Sequence, residues 1–254
     1  MFSFWEVRMI HLYKSLMFRT VKNLYYRIGC LIALVVTAAV SMGIIELSLP
    51  GLKTAADRMF FVSAAMILYF TVFTPLFLNA EYTDGNIRNR IIAGYSQRQI
   101  FTGYVLSQMS AAVLMYVLYL IGGLIGGAGF DGNVICALLV MLFALLAYTA
   151  VVSAIAFRCR NTVVLMVISI MLFNMCFNCV MFGNAIMMLL DGKPAAKVGA
   201  ILYNINALGQ WFCLTGLADD FVNPGASMQI LLSLAVTAAA YIFSNLGLSK
   251  RDLQ

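Results

Sequence analysis

The chain has 254 residues, of which 63% are hydrophobic and 10% are charged, and its formal net charge is +6. A soluble domain carries about 25% charged residues. A chain this apolar cannot cover a water-facing surface, which excludes a soluble enzyme. Intrinsic disorder is excluded as well, because it requires low hydrophobicity. A transmembrane β-barrel would show alternating polarity in segments of about ten residues, whereas this sequence has long unbroken apolar runs.

Six stretches of the sequence lack any Asp, Glu, Lys or Arg, and each is long enough to cross the bilayer core as a helix. Helices are expected because each one satisfies its own backbone hydrogen bonds in lipid. The sequence therefore predicts an all-α, polytopic membrane protein in which residues 1–254 form a single transmembrane domain. The six predicted spans are about 28–45, 59–80, 99–127, 133–157, 161–190 and 228–249.

The positions of lysine and arginine predict how these spans are oriented across the membrane. Twelve of the 16 lie before span one, between spans two and three, between spans four and five, or after span six. Because cytoplasmic loops are enriched in Lys and Arg, we expect these segments and both termini to be cytoplasmic. The basic residues lie beside spans, so the positive charge indicates membrane lipid as the partner, and not nucleic acid.

Residues 3–22 have the pattern of a basic amphipathic helix. Its polar face, at helical spacing, comprises Arg8, His11, Ser15, Arg19 and Lys22. Its apolar face comprises Trp5, Met9, Leu12 and Leu16. Such a helix lies in the membrane interface with its basic face toward anionic headgroups. The sequence favours a simple topology anchor, and an additional contact with a cytoplasmic partner is compatible with it.

The segment between spans two and three predicts a short helix bounded by turn residues. Asp84-Gly85 marks a turn, and residues 86–93 have the composition of a helix. Gly94 is placed to end this helix as a C-cap. Ser96 is placed to cap the helix that becomes span three.

Within this short helix, Ile87 and Ile91 share one side, with Ile92 beside them, whereas Arg88 and Arg90 point elsewhere. A rigid helix held between two spans can pass motion from a soluble partner into the membrane. An ordinary solvated basic loop is the equally supported alternative.

Glycines are concentrated at the end of the predicted third span. Two pairs are spaced four residues apart, Gly122 with Gly126 and Gly123 with Gly127. Such pairs allow a neighbouring helix to approach closely. We expect a packing role, with a flexible point that moves during a transport cycle as the less favoured alternative.

Asn174 and Asn178 lie one turn apart on the same face of the predicted fifth span. Polar side chains at this depth usually face the bundle interior and bond across helices, and lining a substrate path is the second interpretation. Cys176 and Cys179 have metal-type spacing in the same span. Without a nearby His or a second pair, we expect two core thiols and not a zinc or redox site.

Residues 191–227 form the longest predicted extracytoplasmic segment. Its apolar stretch is interrupted by Asn, Gln and Gly residues and is too broken for a seventh span. The pattern predicts short re-entrant helices that dip partly into the outer leaflet. Trp211 and Tyr203 are expected at the membrane interface, where amphipathic rings are favoured.

Several kinds of catalytic chemistry are missing from the sequence. There is no phosphate-binding loop of the G-x-x-x-x-G-K-[ST] type, and no H-E-x-x-H zinc motif. The single histidine, His11, lies outside the predicted spans, and no span contains an ionisable carboxylate, lysine or arginine. Proton-driven transporters commonly place such groups in the membrane. We therefore expect a protein that is not itself an enzyme and takes any energy it uses from another chain.

The segment between spans two and three resembles the first cytoplasmic loop of type-2 ABC exporter permeases, which are small six-span subunits of bacteriocin-immunity, antibiotic-resistance and peptide-toxin export systems. The matching pattern is Glu81-x-x-x-Gly85-x-Ile87-Arg88-Asn89-Arg90, followed by Gly94-x-Ser96-x-Arg98. The overall layout is also similar, with a basic amphipathic N-terminal helix, six spans and a broken outer segment before span six.

The resemblance implies that residues 82–93 form a coupling helix seated in a cleft of a separate ATP-binding subunit. The residues expected to set its contacts and shape are Glu81, Gly85, Ile87, Arg88, Asn89, Arg90 and Gly94. Residues 3–22 would be the connecting helix beside that subunit, and residues 191–227 would close the exit. The family works with two permease subunits, identical or sister proteins, and two ATPase subunits. Spans one, two and five commonly form its dimer interface and substrate path.

The expected function is ATP-driven export of a hydrophobic or amphipathic, toxin-like peptide across a bacterial plasma membrane. ATP and Mg would be bound by the partner subunit, and this chain would bind no cofactor. Other substrates compatible with the resemblance are a lipid-linked precursor, a lipophilic antibiotic or sodium. A different class of function also remains, a membrane immunity or scaffold protein that binds a toxin without transporting it.

Overall fold

The computed structural model describes residues 4–45, 54–159 and 161–246, with side chains from residue 8 onward. Every regular element in these ranges is helical, which confirms the predicted all-α fold. The helices are α1 (Phe4–Lys22), α2 (Leu24–Ser41), α3 (Ala55–Thr83), α4 (Asn86–Ile92), α5 (Gln97–Ile125), α6 (Gly132–Arg158), α7 (Thr162–Leu190), α8 (Ala195–Ile205), α9 (Ala207–Leu214) and α10 (Ala226–Asn245). A short 3₁₀ turn, Asp220–Val222, precedes α10.

Six of these helices are long and apolar enough to cross a membrane, as predicted: α2, α3, α5, α6, α7 and α10. Helices α2, α3, α5 and α6 extend beyond their charge-free stretches at one end or both. Helix α2 begins at Leu24 because the side chain of Asn23 accepts hydrogen bonds from the N–H groups of Tyr25 and Tyr26. Helix α3 continues to Thr83, beyond Glu81. Charged residues limit the lipid-buried part of a helix, but they do not stop its backbone hydrogen bonding.

The six long helices are unequally buried. Helix α3 is the most enclosed, with 56% of its apolar 18-residue segment buried. Only 17% of the corresponding segment is buried in α7 and in α10. Helix α6 packs against α3, α5 and α10, and α5 also packs against α1 and α2. Helices α8 and α9 fill the space between α7, α6 and α10. We call the end of the bundle that carries α4 the α4 end, and the opposite end the α9 end.

The glycines of α5 bring it against α2 and α3. A Cβ atom on Gly122 would lie 2.5 Å from the carbonyl oxygen of Leu34, and one on Gly126 would lie 2.3 Å from the Cβ of Ser41. Gly123 faces the side chain of Met59 on α3. These distances confirm the predicted packing role of Gly122, Gly123 and Gly126, because any larger residue would push the helices apart. The predicted packing role of Gly127 is wrong, because a Cβ there would meet no atom within 4 Å.

Aromatic residues of α8 and α9 are buried inside the protein. Trp211 is 6% exposed and donates from Nε1 to the carbonyl of Phe60 at 2.9 Å. Tyr203 is 7% exposed and donates to the side chain of Asn184 at 2.8 Å. Both rings therefore face the bundle interior, and their depth at a membrane interface stays a prediction. Each ring finds a polar partner within the bundle, so neither needs the wet interface.

Gly122→Ala is expected to lower the free energy of unfolding by about 1–3 kcal/mol, the usual cost of overpacking. The added methyl group meets the α2 backbone, which no side-chain rotation can move. Thermal unfolding of the purified protein in detergent measures the effect. Gly129→Ala is the matched control, because a Cβ there meets no atom within 4 Å. Equal midpoints for the two variants would contradict the assigned contact.

Candidate functional site

The α4 end contains a sharp bend in which α4 connects α3 to α5. Gly85 begins the bend with a φ of 71°, a left-handed conformation that favours glycine. Gly94 ends α4 with a φ of 85°, and the N–H of Tyr95 bonds back to the carbonyl of Arg90. Ser96 then caps α5 through a reciprocal capping box with Gln99. The predicted turn, short helix, C-cap and N-cap are all present.

A buried carboxylate holds this bend together. Glu81, at the end of α3, has a side chain only 2% exposed. One of its oxygens lies 2.9 Å from Nε of Arg19 on α1, and the other lies 2.8 Å from Nη1 of Arg90 on α4. Arg19 also pairs with the exposed Asp84 at 3.3 Å. We call these four residues the clasp, and it joins α1, α3 and α4.

Three of the predicted coupling residues face the inside of the protein. Glu81 is enclosed and Arg90 is 12% exposed, so both charges are used inside the chain. Ile87 is also buried, at 3% exposure, against the bundle. These three residues shape the bend and hold it. They offer little surface to another protein.

The outward side of α4 carries a different set of residues, which we call the docking face: Arg88, Asn89 and Ile92. All three are exposed, and Ile92 is 74% exposed. Within the described part of the chain, the side chains of Arg88 and Asn89 have no hydrogen bond or ion pair. A basic group, an amide and an exposed aliphatic side chain therefore lie together on one rigid turn of helix.

Helix α1 packs against the protein, and this changes the interpretation of its apolar face. Met9, Leu12 and Leu16 are buried, and Gly103 of α5 lets Leu12 and Leu16 approach closely. The apolar face contacts α5 and is covered by the protein, whereas the position of α1 in the membrane interface stays a prediction. The physical reason for the packing is that α5 supplies an equally apolar surface, with a glycine at the contact.

The polar side of α1 contacts both ends of α4. Arg8 donates from Nη2 to the carbonyl of Ala93 at 3.0 Å, and its guanidinium lies 4.7 Å from the centre of the Tyr95 ring. Arg19 reaches the other end through the clasp. His11 is exposed, and the side chain of Trp5 lies outside the described residues. Helix α1 therefore lies across the bend and contacts it at both ends of α4.

Asn174 and Asn178 lie on the outer surface of α7. Both are exposed, and the amide nitrogen of Asn178 donates to the side-chain and backbone oxygens of Asn174, each at 2.8 Å. The expectation that they face the bundle interior is wrong for the single chain. Cys179 is also exposed and Cys176 is half-buried, so Cys179 is not a core thiol. The side chains of Asn174, Asn178 and Cys179 therefore face away from the rest of the chain.

A lateral apolar cleft of about 740 Å³ lies between α2 and α3. It extends from Asn23 and Tyr25 near the α4 end past Phe73 toward Val62. The Tyr69 hydroxyl bridges the two helices by donating to the carbonyl of Tyr25 at 3.2 Å. No charged side chain lines the cleft. The sequence shows only that both helices are apolar and gives no sign that they separate here.

A second polar cluster, at the α9 end, was not predicted. The amide nitrogen of buried Gln210 lies within 3.1 Å of oxygens of Asn204, Gln229 and Ser233. Gln229 in turn donates to the Asn204 side chain at 2.8 Å. Burial raises the pKa of the nearby Cys213 thiol to about 12, so it stays protonated and is no nucleophile. This cluster fixes α8 and α9 to α10. Its sequence signal was the presence of glutamines in apolar stretches.

The described residues contain no group of three or more His, Cys, Asp and Glu side chains that could hold a metal ion. No family model, no curated protein and no solved structure matches the chain. The site is therefore defined by its own geometry: a clasped bend with an outward docking face, a lateral cleft, and an outward asparagine pair.

Glu81→Ala is expected to lower the free energy of unfolding by about 3 kcal/mol. That is the low end for breaking a buried ion pair, since Arg19 remains partly solvated. The removal leaves Arg19 and Arg90 without their buried counter-charge. The unfolding midpoint in detergent measures the loss, and proteolysis at the bend is expected to accelerate.

Asp84→Ala is the matched control, because the Asp84 carboxylate is exposed and its ion pair is worth under about 1 kcal/mol. If Glu81→Ala unfolds no earlier than Asp84→Ala, the clasp does not hold the bend.

Proposed function

We propose that the chain is the membrane subunit of an ATP-driven exporter, and that a separate ATPase subunit binds the docking face of α4. The observation that carries this proposal is the clasp. It fixes the inner side of α4 to α3 and α1 while Arg88, Asn89 and Ile92 stay exposed. A force applied to the docking face would therefore move α3 and α1 directly. The resemblance of residues 81–98 to a coupling loop supports the same role.

The chemistry of the docking face suits a protein partner. Arginine is enriched at protein interfaces, and it often carries a large share of the binding energy. Ile92 supplies apolar area beside it. Because Ile92 is 74% exposed, its side chain gains hydrophobic stabilisation only when a partner covers it.

We place the α4 end in the cytoplasm of a bacterial plasma membrane. Most lysines and arginines of the sequence lie in the segments at this end. Both termini would then be cytoplasmic as well, and ATP and Mg²⁺ would be held by the partner ATPase.

The proposed substrate is a hydrophobic or amphipathic peptide that enters sideways from the membrane. The lateral cleft supports this, because it is uncharged and follows α2 and α3 through most of the apolar layer. A lipid-linked precursor or a lipophilic antibiotic would fit the same chemistry. Sodium fits it poorly, since a desolvated cation needs several oxygen ligands.

A second permease subunit is part of the proposal. Asn174 and Asn178 are exposed on α7 in a single chain, and polar side chains in lipid are stabilised by pairing with another helix. A second copy, or a sister subunit, would supply that helix and enclose the asparagines along a substrate path. The complete complex would contain two permease and two ATPase subunits.

Arg88→Glu is expected to abolish co-purification with the proposed ATPase subunit, and to abolish stimulated ATP hydrolysis. The substitution reverses the charge at the centre of the docking face without touching the clasp. Affinity capture and a peptide-stimulated ATPase assay of the purified complex measure both effects.

Arg98→Glu is the matched control, because Arg98 is equally basic and exposed but lies outside the docking face. Normal association and coupling in Arg88→Glu would refute the assignment of the docking face. Normal ATPase coupling without any transported peptide would favour the immunity or scaffold function.

A short bismaleimide is expected to cross-link two copies in native membranes through Cys179, which is exposed beside Asn178. The product should run as a dimer and disappear in Cys179→Ser. Cys136→Ser is the control, since Cys136 is also exposed but lies on α6. A cross-link that persists in Cys179→Ser would place the subunit contact elsewhere.

A further inference from the structure

Helix α3 contains a proline within its buried part. Pro75 lies inside the 29-residue helix and has no N–H to donate to the carbonyl of Thr71, one turn earlier. In a membrane, a backbone group freed in this way must find a replacement partner from a neighbouring helix, a hydroxyl or an ordered water. The surroundings of Pro75 are therefore informative.

Buried polar side chains from three helices gather beside Pro75, and we call them the polar seam: Thr71 and Thr74 of α3, Tyr104 and Gln108 of α5, and Tyr148 of α6. The hydroxyls of Thr71 and Tyr148 lie 2.9 Å apart. Tyr104 donates to the carbonyl of Thr74 at 2.6 Å. The hydroxyl of Thr74 donates to Oε1 of Gln108 at 3.4 Å. Almost every other side chain around this part of α3 is apolar.

One member of the seam is incompletely paired. Gln108 is fully buried, and its amide nitrogen has no hydrogen-bond partner among the described residues. Rotating the amide by 180° would only move the deficit to the oxygen atom. A buried amide that lacks a partner is costly, and the carbonyl of Thr71 lacks its helical partner in the same region. The seam thus contains an amide nitrogen without a partner among the described residues, and it includes Thr71, whose carbonyl Pro75 deprives of its helical hydrogen bond.

We propose that an ordered water molecule binds in the polar seam between the Gln108 amide and the Thr71 carbonyl, and that it makes Pro75 a hydrated hinge. Water has the required chemistry, because it accepts from an amide and donates to a carbonyl, and buried waters typically make about three hydrogen bonds. The segment that turns about this hinge is residues 76–92, comprising the end of α3 and α4. The clasp keeps that segment rigid.

The polar seam affects bending because a bend of α3 at Pro75 breaks backbone hydrogen bonds. The N–H groups of residues 76–78 bond to the carbonyls of residues 72–74, across the proline. In an apolar surrounding, these groups would be left unpaired when α3 bends. The seam and its water offer replacement partners, which lowers the free energy of bending.

Hydrogen–deuterium exchange of the purified full-length chain in lipid nanodiscs tests this inference. Gln108→Met keeps the side-chain volume but removes the water's partner. Pro75→Ala restores the missing helical donor. Each is expected to slow exchange at residues 76–78 about tenfold or more, the effect of one buried hydrogen bond. Both variants should fold, because neither adds charge and the change in side-chain volume is small, and unchanged exchange in α6 verifies this.

Ser169→Ala is the matched control, because Ser169 is also buried and unpaired but belongs to α7. It should leave exchange at residues 76–78 unchanged. Wild-type exchange rates in either Gln108→Met or Pro75→Ala would overturn the hydrated hinge. The measurement uses no ATPase and no nucleotide, so its outcome is independent of the docking assignment tested by Arg88→Glu.

Discussion

The α4 end depends on one buried carboxylate. A charged group removed from water is costly unless it is paired with an opposite charge, and Glu81 is paired with one guanidinium from α1 and another from α4. Because the two arginines come from different helices, neutralising the charge also fixes those helices to the end of α3. The bend thus acquires a rigid inner side, and its outer side is free for another function.

The remaining polar groups are distributed according to the same constraint. At the α9 end, the Gln210 amide donates to backbone carbonyls of Asn204 and Gln229, and the Gln229 amide donates to the Asn204 side chain, which holds α8 and α9 against α10. In the middle of α3, the seam is left incompletely paired at Gln108. A saturated network favours a fixed position, whereas an unsaturated one beside a proline favours movement. Each end of the bundle is therefore suited to move as a rigid unit, with a flexible point between them.

If the proposed function holds, the docking face, the clasp and the hinge would act one after another. A partner ATPase would press on the docking face, the clasp would carry the displacement into α3 and α1, and the hinge at Pro75 would let the end of α3 turn against its outer half. The cleft lies between α2 and α3, so bending of α3 would change its width. An uncharged cleft of variable width, open to lipid, is suited to an amphipathic substrate.

Much of this architecture was predictable from local sequence. The six spans follow from the absence of charges over lengths that cross a bilayer, and the turn at Gly85, the C-cap at Gly94 and the N-cap at Ser96 follow from backbone preferences of single residues. Local rules succeed here because the hydrogen bonds involved join residues close together in the chain.

Tertiary structure alone decided what each helix face contacts. Leu16 faces α5 and not lipid, Asn178 faces outward and not the interior, and Glu81 and Arg90 face each other. In a chain this apolar, hydrophobicity no longer distinguishes the protein interior from lipid, since both accept the same side chains. Which face is buried then depends on helix packing and on the pairing of a few polar groups across long sequence distances.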